Sequence, residues 1–165
     1  MSWFKTAKHG VSDKELNKIL KRFIRTSMFV RKIFNEYNID IDAIDGLVFK
    51  TKDLDGRYAQ SDSKSIYLDN SLFEDNSFFD KHVHFVIHEL THWLTRQKEK
   101  DFYFADPEEI AAFESAIAYE ITRGQDHDTI IETFYPIIEA HVSNSNSKEL
   151  FDAIYAKAKI RANGH

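Results

Sequence analysis

The hydrophobic period changes twice along this chain, and that change predicts an α+β fold: a helix, a small antiparallel sheet of about three strands, then helices to the end. Two compositional facts bound the reading. The chain has 165 residues, 42% of them hydrophobic, enough to bury a core without covalent staples, and residues 1–165 are expected to form a single domain. It has no cysteine, which excludes disulfides, thiolate metal ligands and a catalytic thiol. Its eight histidines are then the only soft metal-binding side chains.

The elements follow in order. Ser12-x-x-Glu15 is a capping box, and Leu16, Ile19, Leu20, Phe23, Ile24 and Phe34 recur at helical spacing to about Tyr37. This is the basic N-terminal helix of residues 1–38. Gly46–Lys52 reads as a strand, Asp55-Gly56 as a tight hairpin turn and Arg57–Gln60 as its partner. Ser61–Lys64 is a second turn, and Ser65–Asp69 a third strand. After Asp75-Asn-Ser77 the helical period returns, with Phe79, Val83, Val86, Ile87, Leu90 and Leu94 on one stripe to about Lys98. Asp106-Pro107 opens the next helix, which Gly124 ends; its stripe is Ile110, Phe113, Ile117 and Ile121. C-terminal helices occupy 126–162. The segment 129–142 carries Pro136, which should kink or split it. A polar loop at 143–147 precedes a last helix capped by Asn146-x-x-Glu149.

Charge is unevenly placed. Residues 1–32 hold nine Lys and Arg against Asp13 and Glu15, whereas the whole chain carries a net charge of −5. The simplest reading is a solvated basic face on a helix docked to an acidic body, and an acidic partner for that helix is a further expectation. With an acidic chain overall, no nucleic-acid partner is expected. No apolar stretch approaches the roughly 18 residues of a membrane span, and no secretory signal is read at the start, so a cytoplasmic location is expected.

The chemistry resides in His88-Glu89-Leu90-Thr91-His92. Residues four apart lie one above the other on a helix, so both imidazoles can reach one metal ion, and two neutral nitrogens suit tetrahedral zinc. At about 100° per residue, Glu89 is turned some 60–100° from the histidines, where its carboxylate can address a water instead of the metal. By the same measure the histidines lie about 140–180° from the apolar stripe, facing solvent or a cleft rather than the core. A catalytic site also needs a third protein ligand, and the acid-rich helix from Pro107 offers Glu108, Glu109 and Glu114.

An H-E-x-x-H helix followed by a glutamate-bearing helix resembles the gluzincin branch of the zincin metallopeptidases, in a minimal, stand-alone form. The resemblance covers about residues 45–123, which it implies is the catalytic core of a zincin-like domain. It implies a peptide or protein substrate, Zn2+ held by His88, His92 and a glutamate, and a metal-activated water with Glu89 as general base. In that family the ligand glutamate is typically followed three positions later by a small residue. Glu109 with Ala112 fits, and Glu108 with Ala111 fits nearly as well; Glu109 is preferred because Ala112 and Ala116 flank it. As Asp106-x-x-Glu109 is also capping-box spacing, Glu109 has a purely structural reading too. Where many gluzincins carry Asp or Asn to orient a ligand histidine, this chain has Phe113. The resemblance further implies a sheet edge that pairs with the substrate, either Arg57–Gln60 or Ser65–Asp69, and an oxyanion-stabilising His or Tyr, for which His141, Tyr103, Tyr119 and Tyr135 are candidates. Peptide deformylases share the helix motif but use a cysteine ligand, which is missing here. His84, one turn before His88, projects toward the cleft side and reads first as solvent-facing, with support of the histidine site or a substrate contact as the other reading. The remaining alternative is a non-proteolytic zinc-binding structural or regulatory protein on the same scaffold.

Overall fold

The computed structural model describes residues 11–98, 106–141 and 146–163. The chain divides into two compact units, 1–104 and 105–165. The mixed α+β class is as the sequence predicts. The unit boundary falls between the helix bearing His88 and His92 and the helix bearing Glu108 and Glu109.

The first unit opens with α1 (Asp13–Thr26) and α2 (Met28–Glu36). The expected single helix is therefore two. Ser27 takes extended backbone angles, its Oγ accepts from the Val30 N–H, and its own N–H donates to the Phe23 carbonyl. One serine thus ends one helix and caps the next. Leu16, Leu20 and Ile24 of α1 and Val30, Ile33 and Phe34 of α2 are buried. On the exposed side Arg25 reaches Asp42 at 2.7 Å and Asp45 at 2.6 Å, both on a 3-10 turn at Ile41–Gly46. Such exposed pairs are screened by solvent and add little to stability.

The three strands are β1 (Val48–Lys52), β2 (Ala59–Ser61) and β3 (Ser65–Asp69). The expected antiparallel arrangement is corrected here. The sheet is mixed, in the order β1-β3-β2, with β1 parallel to β3 and only β2 antiparallel to it. The Asp55-Gly56 turn forms, with φ of 53° and 90° and Arg57 N–H bonded to Leu54 O, but the strands it links flank β3 rather than each other. The placement follows burial. Ser65, Ile66 and Leu68 make β3 the most enclosed strand, and the strand that buries most takes the centre.

A side chain completes the sheet. Asn17 of α1 donates from Nδ2 to the Phe49 carbonyl and accepts the Phe49 N–H at Oδ1, each at 2.8 Å, while Asp13 Oδ1 accepts the Thr51 N–H at 3.2 Å. The outer edge of β1 is thereby occupied by a helix.

A 3-10 turn (Asn70–Phe73) and a π-helical turn (Phe78–His82) lead into α3 (Val83–Lys98). The sequence period alone suggests regular helix from Phe79; the wider turn replaces its start. Val83, Val86, Ile87, Leu90 and Leu94 of α3 join the core as expected.

The second unit is three helices: α4 (Asp106–Thr122), α5 (His127–His141) and α6 (Ser147–Asn163). Pro136 lies inside α5 without splitting it. Gly124, with φ of 93°, lies just beyond α4, and the Arg123 and Gly124 N–H groups bond Tyr119 and Ile121 carbonyls. Residues 1–10 of the basic segment, most of the 143–147 loop and Tyr103 lie outside the described residues. Among the described residues, no helix is long and apolar enough to cross a membrane.

Two outcomes follow for the first unit. Asn17→Ala leaves two backbone groups of Phe49 unmet and should cost about 2 kcal/mol, read as a lowered midpoint in urea or thermal unfolding. The second concerns acid. Burial acts to raise the pKa of Asp62, but the N–H groups of Lys64 and Ser65 and the Tyr67 hydroxyl hold it below its ordinary 3.8. Asp69 is held down in the same way against its burial, by the Ser71 hydroxyl and the Leu54 and Ser71 N–H groups. A folded pKa below the unfolded one stabilises fully above 3.8, and that stability is lost as pH falls through the folded value. Unfolding midpoints should therefore drop below about pH 4, with a shallower drop in Asp62→Asn.

Candidate metal centre

The helix α3 is enclosed on both sides. Outside its core stripe, His84 is only 3% exposed, His92 2%, Glu89 9% and Thr91 fully buried, with His88 half-buried. The histidines avoid the apolar stripe, as their spacing predicts, and the side they occupy is sheltered. His84 corrects the expectation of a solvent-facing residue: its ring lies 4.2 Å from that of Phe85. Thr91 is satisfied locally by donating to the Ile87 carbonyl at 2.9 Å. Buried imidazole and carboxylate groups are costly unless paired or coordinated.

His88 and His92 come together. Their Nε2 atoms are 3.2 Å apart, with ring centroids 4.9 Å apart and planes at 65°. Two nitrogens bound to tetrahedral zinc at about 2.0–2.1 Å lie about 3.3–3.4 Å from each other. The pair thus fits a shared cation closely; without one, the same distance allows a single N–H···N bond between neutral rings.

At about 100° per residue, Glu89 lies on the flank of α3 that carries Phe85, Trp93 and Arg96. Each of these touches the segment from Tyr58 to Ser63 that contains β2. The Phe85 ring stacks on Tyr58 at 5.0 Å, Trp93 Nε1 donates to the Ser63 carbonyl at 3.2 Å, and Arg96 donates to Ser61 Oγ at 3.1 Å. Helix phase thus puts Glu89 beside the histidine pair, on the flank of α3 that meets the β2 region. Of the two strands considered for a substrate shelf, β3 is paired on both sides and offers no edge; β2 is the outer strand.

Glu108 and Glu109 belong to the second unit, in the first turns of α4. Glu108 is buried, Glu109 half-buried, and the Oε2 atom of each is shielded from solvent. The other acids of α4 are engaged inside their own unit. Glu114 faces Arg161 at 3.8 Å, and Arg161 also donates to buried Ser115. Glu120 is bonded by Arg123 at 3.0 Å; burial pushes its pKa up, against the pull of Arg123. Ala112 and Ala116 are fully buried.

The oxyanion candidates separate on geometry. Burial pushes the Tyr119 phenol up to about 12, so it stays a donor at neutral pH. Tyr135 shares its hydroxyl with Ser147 at 3.2 Å, and exposed His141 donates to the Ile137 carbonyl at 2.8 Å. Sequence reasoning missed the Tyr58–Phe85 stack, whose partners are far apart in the chain and share no pattern. Compared with protein-family models, curated proteins and solved structures, the chain matches none of them.

Proposed function

We propose that this chain is a zinc-dependent metallopeptidase of the zincin type, with Zn2+ held by His88, His92 and Glu109 and with Glu89 as general base. The observation that supports it most is the His88–His92 nitrogen pair at 3.2 Å on a helix enclosed on both sides, with Glu89 between them in sequence. A neutral nitrogen from each histidine and one carboxylate oxygen from Glu109 would make a donor set of the kind that suits zinc. Glu109 is preferred to Glu108 for its spacing to Ala112 and Ala116, and Glu114 and Glu120 already face arginines.

When bound, zinc lowers the pKa of a water and polarises a carbonyl. The side chains do the rest. The Glu89 carboxylate takes a proton from the attacking water and passes it to the departing amine nitrogen, while the hydroxyl joins the carbonyl carbon and the C–N bond breaks. Enclosure of Glu89 and His92 keeps competing water away and strengthens electrostatic interactions within the site. Peptides or proteins are the substrates on this reading. An acidic partner for α1 is a separate proposal, supported by exposed Lys14, Lys18 and Arg22, whereas Arg25 is committed to Asp42 and Asp45.

Metal analysis after dialysis should find about one zinc per chain in the native protein and none in His88→Ala; equal zinc in both ends the proposal. Glu109→Ala should lose the metal and Glu108→Ala should keep it, the reverse result moving the third ligand by one residue. Glu89→Gln should retain zinc while peptide hydrolysis falls by about 10²–10⁴-fold. Zinc retained in the native protein without cleavage of a denatured casein would favour the non-proteolytic zinc protein instead.

A further inference from the structure

The outer strand is too short to hold a peptide by itself. In its pairing with β3, Tyr58 O accepts from Asp69 N–H and Asp62 N–H donates to Ser65 O. In antiparallel pairing successive residues alternate direction, so only Ala59 and Ser61 turn their backbone groups to the outer side. Two residues of edge give little affinity and almost no choice among peptides, so selectivity must come from side chains.

One side chain stands at the start of that strand. Tyr58 directly precedes β2 and remains 50% exposed although its ring stacks on Phe85 with planes 27° apart. Among the described residues the other exposed large hydrophobic groups are Met28, Val48 and Ile160, none of them on α3 or the β2 segment. Phe85 lies three residues before His88, less than one helical turn away. It is braced by neighbouring rings, with His84 at 4.2 Å and His82 at 6.3 Å. The exposed ring therefore rests on a rigid support one turn from the histidine pair, on the flank of α3 that also carries Glu89.

We propose that Tyr58, backed by Phe85, is a specificity-determining platform that takes a large apolar or aromatic side chain of the substrate within two residues of the scissile bond. The proposal rests on the peptidase reading above. Offset stacking and apolar contact on such a ring favour flat or bulky hydrocarbon and give nothing to a carboxylate. The chemistry thus selects peptides with Phe, Tyr, Trp or Leu near the cleaved bond over those with Asp or Glu there.

The test uses the full chain carrying Glu89→Gln, with zinc added, and two fluorescein-labelled Gly/Ser nonapeptides bearing Phe or Asp at the centre. Fluorescence anisotropy should show the Phe peptide binding about tenfold or more tightly than the Asp peptide. Adding Tyr58→Ala should abolish the difference, and Tyr58→Phe should preserve it. Equal affinities in the Tyr58 protein, or a preference that survives Tyr58→Ala, would overturn the platform. Circular dichroism of the Tyr58→Ala protein checks that folding is intact, and Tyr58→Phe gives the decision if it is not, because its loss of preference also overturns the proposal. Cleavage of neither peptide by zinc-loaded native protein would count against the peptidase reading instead, and the anisotropy result would stand apart from it.

Discussion

The candidate centre depends on one helix being enclosed along two opposite faces. The apolar stripe of α3 fixes its rotation against the sheet core, and at 3.6 residues per turn that rotation dictates where every other side chain points. His84, His88 and His92 must then share one face, and Glu89 must stand to one side of it. Burial of His92 and Glu89 makes that placement expensive for an accidental set of polar residues, since isolated polar groups are disfavoured away from water.

The two units use their charged groups differently. In the second unit the acids of α4 that lie beyond its first turns meet arginines, Glu114 with Arg161 and Glu120 with Arg123. In the first unit several aspartates are occupied by backbone: Asp62, Asp69 and Asp13 each accept N–H groups around the sheet. Carboxylates therefore hold the turns that shape the strands, and the histidine helix rests on strands positioned in that way.

What the sequence disclosed was periodic or local. The helix α3, its apolar stripe and the i, i+4 histidines follow from spacing alone, as do the Asp55-Gly56 turn and the position of Gly124 after α4. What it withheld was relational. Alternation marks β1, β2 and β3 as strands but does not say which neighbours which, and the parallel pairing of β1 with β3 depends on how deeply Ile66 and Leu68 are buried. Asn17 reads as one more polar residue on a basic helix, because its partner at Phe49 lies 32 positions away. His84 was misread for the same reason: one helix face can be deduced from its own period, but the cover on its opposite face cannot. Ser27 was legible in principle, since a serine before an apolar turn is an N-cap, but the continuous hydrophobic period masked the break.

The side chain of Asn17 has a consequence beyond holding a strand. It occupies the backbone groups through which β1 would otherwise accept another chain, and Asp13 covers the next position. A sheet open at both ends can template strand after strand into a growing fibre. Here one edge is closed by a helix, so β1 offers no backbone groups at Phe49 and Thr51 for such growth. An asparagine side chain thus does for this edge what a neighbouring strand does elsewhere.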